Sequence, residues 1–465
     1  MKNIREKLEF EFIFFFFCHW QKLIPANINY CRNGGMFGML QNILLRVLHI
    51  TQYWPERTMA RFTERRIRYL LRRTAGERLY LPTELDRRHP LRDFSRLPVI
   101  AREELRQRFR DAINAHARRG SHSKLLIGAT SGTTGVPMRV AFTEKAAVQY
   151  RILRNRLFGF GGLKPEEEFI YPRTTPNPHY CSKNVFLAHD LEAMVDSCEA
   201  LFRRMRENNI VAIFAFPSFL TLVAERMQRD RVTPPPIKAI FSAGEDLSPA
   251  MRARIEKAFQ ARVYNHYATV DLATIGQECE YQRGIHINPE FHFLEILAPD
   301  GTPLGPDQWG RIVITQPDPA LVPIIRYETG DIGMLLSGSC ECGRTLPRIM
   351  IRGRASEVIS TGKEVISPLA FKEIIDAYDP AYERVRQYQV ILAEDARLRL
   401  LLVPTERFIP EDAADIDRIC KKFLRGRIEF ALDVVHDVEH IGLKTPLFIR
   451  RKPILSHADS ARLPS

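Results

Sequence analysis

The chain has 465 residues, of which 45% are hydrophobic and 26% charged, with a formal net charge of +13. It is too long for one compact core and too apolar for a disordered chain, so two or more folded domains are expected. The cationic excess suits polyanions, but no helix-turn-helix, RNA-binding aromatic signature or zinc-finger spacing accompanies it, and no nucleic-acid partner is expected.

Phe12 to Phe17 is the one strongly apolar run, far short of the ~20 residues a bilayer span needs, so no transmembrane segment is expected. Lys2, Arg5 and Lys7 precede it, yet Glu9 and Glu11 interrupt it and no small-residue cleavage site follows. Residues 1–35 are set apart from the fold, as a disordered extension or as sequence ahead of a start at Met36. Cys18, Cys31, Cys181, Cys198, Cys279, Cys340, Cys342 and Cys420 are scattered through the chain. Without an export signal, they point to a reducing, cytoplasmic setting with free or metal-bound thiols.

From Met36 to about Gly120 the pattern is helical. Phe37, Leu40, Ile43, Leu44 and Val47 keep the spacing of one apolar face, and the arginine-rich stretches 58–74 and 101–118 read as helices with solvated basic faces. Leu125 to Ala129 reads as a short buried strand. Helices and strands then alternate: helix 145–158, strand 168–171, helix 190–208, strand 210–215, helix 218–227, strand 237–242 and helix 249–259. That order predicts an α/β layered domain with a partly parallel sheet. Between 290 and 336 the segments shorten around Pro299-Asp300-Gly301 and Leu304-Gly305-Pro306, which predicts an antiparallel β subdomain. After Gly353-Arg354 strands at 357–359, 388–392 and 398–403 and helices at 368–377 and 411–426 predict a small α+β lid. The expected division is 36–353 for the large domain and 354–465 for the lid.

Thr130-Ser131-Gly132-Thr133-Thr134-Gly135-Val136-Pro137 follows the first strand. Four hydroxyl side chains and two glycines offer donors, exposed backbone N–H groups and close approach, which suits a polyphosphate. The spacing is neither G-x-x-x-x-G-K-[ST] nor G-x-G-x-x-G.

The run resembles the signature loop of the adenylate-forming superfamily, the acyl-CoA synthetases and peptide-synthetase adenylation domains. Three further stretches follow in that family's order: Tyr264-Asn265-His266-Tyr267-Ala268-Thr269-Val270-Asp271, Arg326-Tyr327-Glu328-Thr329-Gly330-Asp331, and Gly353-Arg354. Glu278-Cys279, Gly284-Ile285-His286-Ile287 and Cys340-Glu341-Cys342-Gly343-Arg344-Thr345 are similar to the phenylacetate-CoA ligase and capsule-protein-type branch. The likeness spans roughly residues 40–455.

The resemblance implies activation of a carboxylic acid by ATP with Mg²⁺ to an acyl-AMP, then transfer to a thiol, most simply that of coenzyme A. An aryl or arylacetic acid is the branch's default. A carrier protein or an amine as acceptor, a non-catalytic nucleotide-binding descendant and a homodimer all stay open. Ser131, Gly132, Thr133, Thr134 and Gly135 would hold the phosphates; Ala243, Gly244 and Glu245 would line the adenine site, with Tyr267 stacked on the base and Asn265 at its edge. Asp331 would accept from both ribose hydroxyls, and Arg354 would add a second ribose or phosphate contact. Asp271 would hold Mg²⁺ and Lys444 would bridge carboxylate and α-phosphate, with Lys452 as the other candidate. Met138 stands where the family often has lysine, Ala268 where it has glycine, and Val270-Asp271 where it has Thr-Glu. The acyl pocket is expected near Phe214-Ala215-Phe216-Pro217. Cys279, His286, Cys340 and Cys342 offer a Cys₃His set for a structural zinc, at unusual spacings that leave free thiols equally open.

Overall fold

The alternation of apolar runs and amphipathic helices builds a mixed sheet of eleven strands among the described residues. The computed structural model describes residues 10–15, 17, 35–74, 94–118, 125–129, 138–173, 184–188, 191–317, 321–354, 359–360, 365–366, 368–380, 382–440 and 444–451. No described helix is long and apolar enough to cross a membrane.

Strand β1 (Leu125–Ala129) pairs antiparallel with β2 (Arg139–Thr143), so the Thr130–Pro137 run, which lies outside the described residues, joins two strands of a hairpin. β1 is not the buried strand expected of its composition. Its one partner is β2 and Ile127 is exposed, because the hairpin's apolar surface is carried by Met138, Val140 and Phe142.

The parallel half of the large sheet contains β3 (Glu168–Arg173), β4 (Val185–Leu187), β5 (Ile210–Ala215), β6 (Ala239–Ala243) and β7 (Val263–Thr269), ordered β7-β6-β5-β3-β4. Its strands are covered on both faces, which is why they read as nearly unbroken apolar runs. Ile170, Ile213 and Ile240 pack on one side against Phe202, Phe219 and Val223, while Phe169, Tyr171, Phe214 and Phe241 pack on the other against Phe158. Helices Pro217–Asp230 and Pro249–Phe259 make the crossovers, each with proline at its first turn. The helix expected over 190–208 is two, Leu191–Asp196 and Cys198–Glu207, with Ser197 between them.

The antiparallel half adds β8 (Ala273–Glu278), β9 (Ile285–Ile287), β10 (Phe293–Leu297), β11 (Gly310–Thr315), β12 (Tyr327–Leu335) and β13 (Arg348–Arg354), ordered β10-β11-β12-β13-β9-β8 and joined to β7 through β8.

At the N-terminal side Ile13 and Phe17, within the segment set apart by sequence, are buried with Trp54 and Phe62. Arg66 corrects the solvated-face reading of helix Glu56–Thr74. It is 1% exposed, with its guanidinium 5.1 Å from the Phe17 ring centre and 5.9 Å from that of Phe291. On helix Gly35–Thr51 Leu44 and Val47 are buried as expected, but Ile43 is exposed.

Beyond β13 come two short paired strands, β14 (Ile359–Ser360) and β15 (Val365–Ile366), then a separate sheet of β16 (Val385–Leu392), β17 (Leu398–Pro404), β18 (Phe430–Val434) and β19 (Phe448–Arg450). Helices Leu369–Tyr378 and Pro410–Leu424 complete its core through Phe371, Ile375, Ile416 and Cys420. This unit is docked on the large sheet's domain by Lys372 Nζ to Asp246 Oδ2 at 2.6 Å and by Arg254 Nη2 donating to the Tyr382 carbonyl at 2.7 Å.

Candidate active site

The carboxyl ends of β3, β5, β6 and β7 lie along one edge of the parallel sheet, the edge at which open α/β sheets place their ligands. Tyr267 on β7 and Asp331 on β12 meet beside it. The Tyr267 hydroxyl donates to Asp331 Oδ2 at 2.7 Å and Arg354 Nε stands 3.4 Å from Asp331 Oδ1. The Asp331 N–H donates to Thr329 Oγ1 at 3.1 Å, and that hydroxyl donates to the Ile312 carbonyl at 3.3 Å. Burial pushes the Asp331 carboxyl up, opposed by Arg354, and burial with the Asp331 charge raises Tyr267 well above a normal tyrosine.

The sequence fixes this segment from both ends. Arg326, buried and in the left-handed region, grips Glu295 through Nε and Nη2 at 3.1 Å each and donates from Nη1 to the Ser95 carbonyl at 2.7 Å. Gly330 has φ +82°, and the ladder between β12 and β13 shifts register just past it, so the chain turns Asp331 out of the regular pleat.

Asp271 follows β7 and is buried, with Oδ2 lacking a hydrogen-bond partner among the described residues. Burial first, and then the neighbouring Asp271 carboxylate, raises the Tyr327 hydroxyl. A buried carboxylate oxygen without a donor is chemically satisfied by a hard divalent cation, so the residue fits the Mg²⁺ assignment. Val270 beside it is exposed, so the absent threonine hydroxyl leaves no gap in the core.

Lys444 arrives from the small domain. Its Nζ donates to the Gly244 carbonyl at 2.8 Å and lies 4.9 Å from the Phe216 ring centre. Gly244 has φ +83°, and a Cβ there would come within 2.8 Å of Phe216 and 3.2 Å of Lys444 Nζ, so only glycine lets the lysine in. Burial pulls the Lys444 ammonium below the ordinary lysine range; Glu245 opposes this, and Arg354 and Arg173 reinforce it. Glu245, in the segment expected to line the adenine site, is engaged by two backbone N–H groups. Its carboxylate accepts from the Ser218 N–H at 3.0 Å and the Thr445 N–H at 2.8 Å, tying the start of helix Pro217–Asp230 to the arriving lid.

The remaining expected residues divide. The Asn265 N–H donates to Glu278 Oε2 at 2.8 Å, and Arg252 holds that carboxylate at 2.9 Å; Ala243 is buried under the sheet's aromatic face. Ser131, Gly132, Thr133, Thr134, Gly135 and Lys452 lie outside the described residues. The loop's last flank is placed, however: Met138 is fully buried in one cluster with Tyr267 and Tyr327, so the hairpin stem abuts the Asp331 region. A lysine would have to bury its charge there, which accounts for methionine. Thr329, Ser218 and Thr445 were not singled out by sequence; Thr329 lay inside the motif that named Asp331.

Cys279, His286, Cys340 and Cys342 converge, their ligating atoms all within 4.8 Å of one another. Cys279 Sγ is 3.6 Å from Cys340 Sγ, and Cys342 Sγ is 3.5 Å from His286 Nε2. Burial pushes the Cys279 thiol up to about 12 and pulls His286 down to about 4. Three sulfurs and one imidazole around one point fit a closed tetrahedral zinc set.

The fold is that of the adenylate-forming ligases. 2-Hydroxyisobutyryl-CoA ligase, in its postadenylation state with R3-HIB-AMP, superposes with a TM-score of 0.67 at 18% identity over 86% of this chain and 91% of that one. The same enzyme with 2-HIB-AMP and CoA in the thioesterification state gives 0.55 over 88% and 93%. No family model matches the chain. In sequence it is similar to the phenylacetate-coenzyme A ligase of Thermus thermophilus, 25% identical over 338 residues, which is 66% of this chain and 71% of the relative. The resemblance read from the ordered motifs, to this superfamily and this branch, is borne out.

Proposed function

We propose that the protein is an ATP-dependent, AMP-forming acid–thiol ligase. One observation carries the reading: Lys444 of the small domain sits on the Gly244 carbonyl at the same sheet edge that holds Tyr267, Asp331 and Arg354. A carboxylate is a poor electrophile, and joining it to AMP supplies a leaving group. The carboxylate oxygen attacks the α-phosphorus of ATP, the bond to the bridging oxygen breaks, and pyrophosphate departs with the electron pair. Asp331 receives the ribose hydroxyls and Arg354 the sugar or phosphate. Lys444 releases the Gly244 carbonyl and places its ammonium between carboxylate and α-phosphate, where negative charge builds. A magnesium ion at Asp271 would neutralise the departing pyrophosphate.

In the second step the thiol sulfur bonds to the acyl carbon, the bond from that carbon to the AMP oxygen breaks, and the thiol proton is released. Coenzyme A is the acceptor we favour, since phenylacetate-CoA ligases are the relatives in sequence. We place the domain boundary after residue 353, so that residues 354–465 move as the lid and withdraw Lys444 before the thiol enters. The Cys₃His cluster is assigned to a structural zinc. The reading is tested by acid-dependent exchange of labelled pyrophosphate into ATP over a panel of aryl and arylacetic acids. Exchange with at least one acid is expected; ATP binding without exchange for any acid would make the protein a non-catalytic descendant.

A further inference from the structure

Just past the end of β6, three consecutive residues each hold the small domain through a different group. The Gly244 carbonyl accepts from Lys444 Nζ at 2.8 Å, Glu245 Oε1 accepts from the Thr445 N–H at 2.8 Å, and Asp246 Oδ2 pairs with Lys372 Nζ at 2.6 Å. We infer that Asp246 and Lys372 are positioning residues for adenylation. Their ion pair sets the orientation of the small domain in which Lys444 reaches the site, and it is released on the way to the thiol step. The inference rests on the acid-activating reading above.

Lys444 and Thr445 lie on one segment, so their two contacts alone leave the small domain free to pivot about that point. Lys372 belongs to a separate element, the helix Leu369–Tyr378, and its pairing with Asp246 removes that freedom. The Tyr382 carbonyl, which accepts from Arg254 Nη2 at 2.7 Å, adds a third point. Orientation matters here because a displacement of ~1 Å at a charge that must meet a developing anion is enough to cost rate.

The same contacts are built to come apart. Lys372 Nζ has Asp376 Oδ2 at 3.9 Å on its own helix. Glu245 Oε2 accepts from the Ser218 N–H at 3.0 Å inside the large domain, and Arg254 Nη1 donates to Glu225 Oε1 at 2.6 Å, also inside it. When the domains separate, each of these charged groups keeps a partner in its own domain, so none is left as an orphaned ion. The Asp246 side chain, 35% exposed, returns to water. An ion pair of that exposure adds little to the fold, but it is large enough to bias an equilibrium between two docked orientations.

The test reads the two half-reactions and the docking itself. Asp246→Asn and Lys372→Met are each expected to lower kcat/KM for pyrophosphate exchange about fivefold, with the double variant no worse than either single one and Asp246→Glu keeping most of the rate. Thioester formation from supplied acyl-AMP should not fall. Hydrogen exchange on the full-length protein needs no turnover: the Thr445 amide should lose protection in Asp246→Asn and Lys372→Met, while the amides of β16 and β17 keep theirs and report a folded small domain. No change in pyrophosphate exchange, equal loss in both half-reactions, additive effects of the two substitutions or unaltered Thr445 protection would overturn the inference and leave the ligase reading intact. Loss of Thr445 protection in these variants, in a protein that exchanges pyrophosphate with no acid, would uphold the ion pair's hold on domain orientation and overturn the ligase reading.

Discussion

The Tyr267 hydroxyl donates to Asp331 Oδ2 at 2.7 Å, so the tyrosine is bonded to the carboxylate assigned to the ribose. Its ring, packed with Met138 and Tyr327, and its hydroxyl thus do separate things. The hydroxyl orients Asp331 with Oδ1 toward Arg354. Tyr267→Phe keeps the ring but leaves a buried carboxylate oxygen without its donor, a loss of about 1–2 kcal/mol. The KM for ATP in pyrophosphate exchange should rise by about tenfold. An unchanged KM would detach Tyr267 from nucleotide binding.

Lys444 is the residue on which the two half-reactions should part. Lys444→Ala is expected to lower adenylate formation by about 10²–10³-fold, the size of losing one preorganised charge at a developing anion. Thioester formation from supplied acyl-AMP should be largely spared, since the lid withdraws the lysine for that step. Equal loss in both assays would show that its bond to Gly244 matters for holding the domains together instead.

The parallel half of the fold was legible because each strand is covered on both faces and so announces itself as an apolar run between helices, Ile210–Ala215 being the plainest case. β1 deceived for the same reason: its composition is that of a covered strand, but its hairpin buries the other partner's side chains. Arg66 deceived because nothing in an arginine-rich helix says which guanidinium finds two aromatic rings, Phe17 and Phe291, from distant segments. At the site, Asp331 and Lys444 could be named from ordered motifs, whereas Glu245's direction depends on where the Thr445 backbone lands, 200 residues away in the chain.

The Lys444 environment sets a pH limit. Lysine must be protonated to act as a cation, and burial holds its pKa below the ordinary value, with Arg354 and Arg173 pushing the same way and Glu245 opposing. Adenylation should therefore fall as pH rises through a pKa lower than that of an exposed lysine. Glu245→Gln removes the opposing charge, so the alkaline limb should move to lower pH. Exchange rates measured from about pH 7 to about pH 10 give both limbs. A limb that stays put would mean that Glu245 acts through its bonds to Ser218 and Thr445 alone.

Cys279 and Cys340 come from segments about sixty residues apart, yet their sulfurs lie 3.6 Å from each other, with His286 and Cys342 completing the set. Three thiols gathered in a buried pocket gain little from one another as neutral groups. As thiolates they would repel unless a cation stood between them, and zinc supplies that charge together with the tetrahedral geometry. The purified protein should hold one zinc per chain by elemental analysis. Cys279→Ser and Cys340→Ser should each lose the metal and lower the melting temperature, and a strong chelator should reproduce that drop in the unaltered protein but not in the variants. A metal-free protein whose melting temperature is indifferent to both chelator and added zinc would assign the cluster to packed thiols.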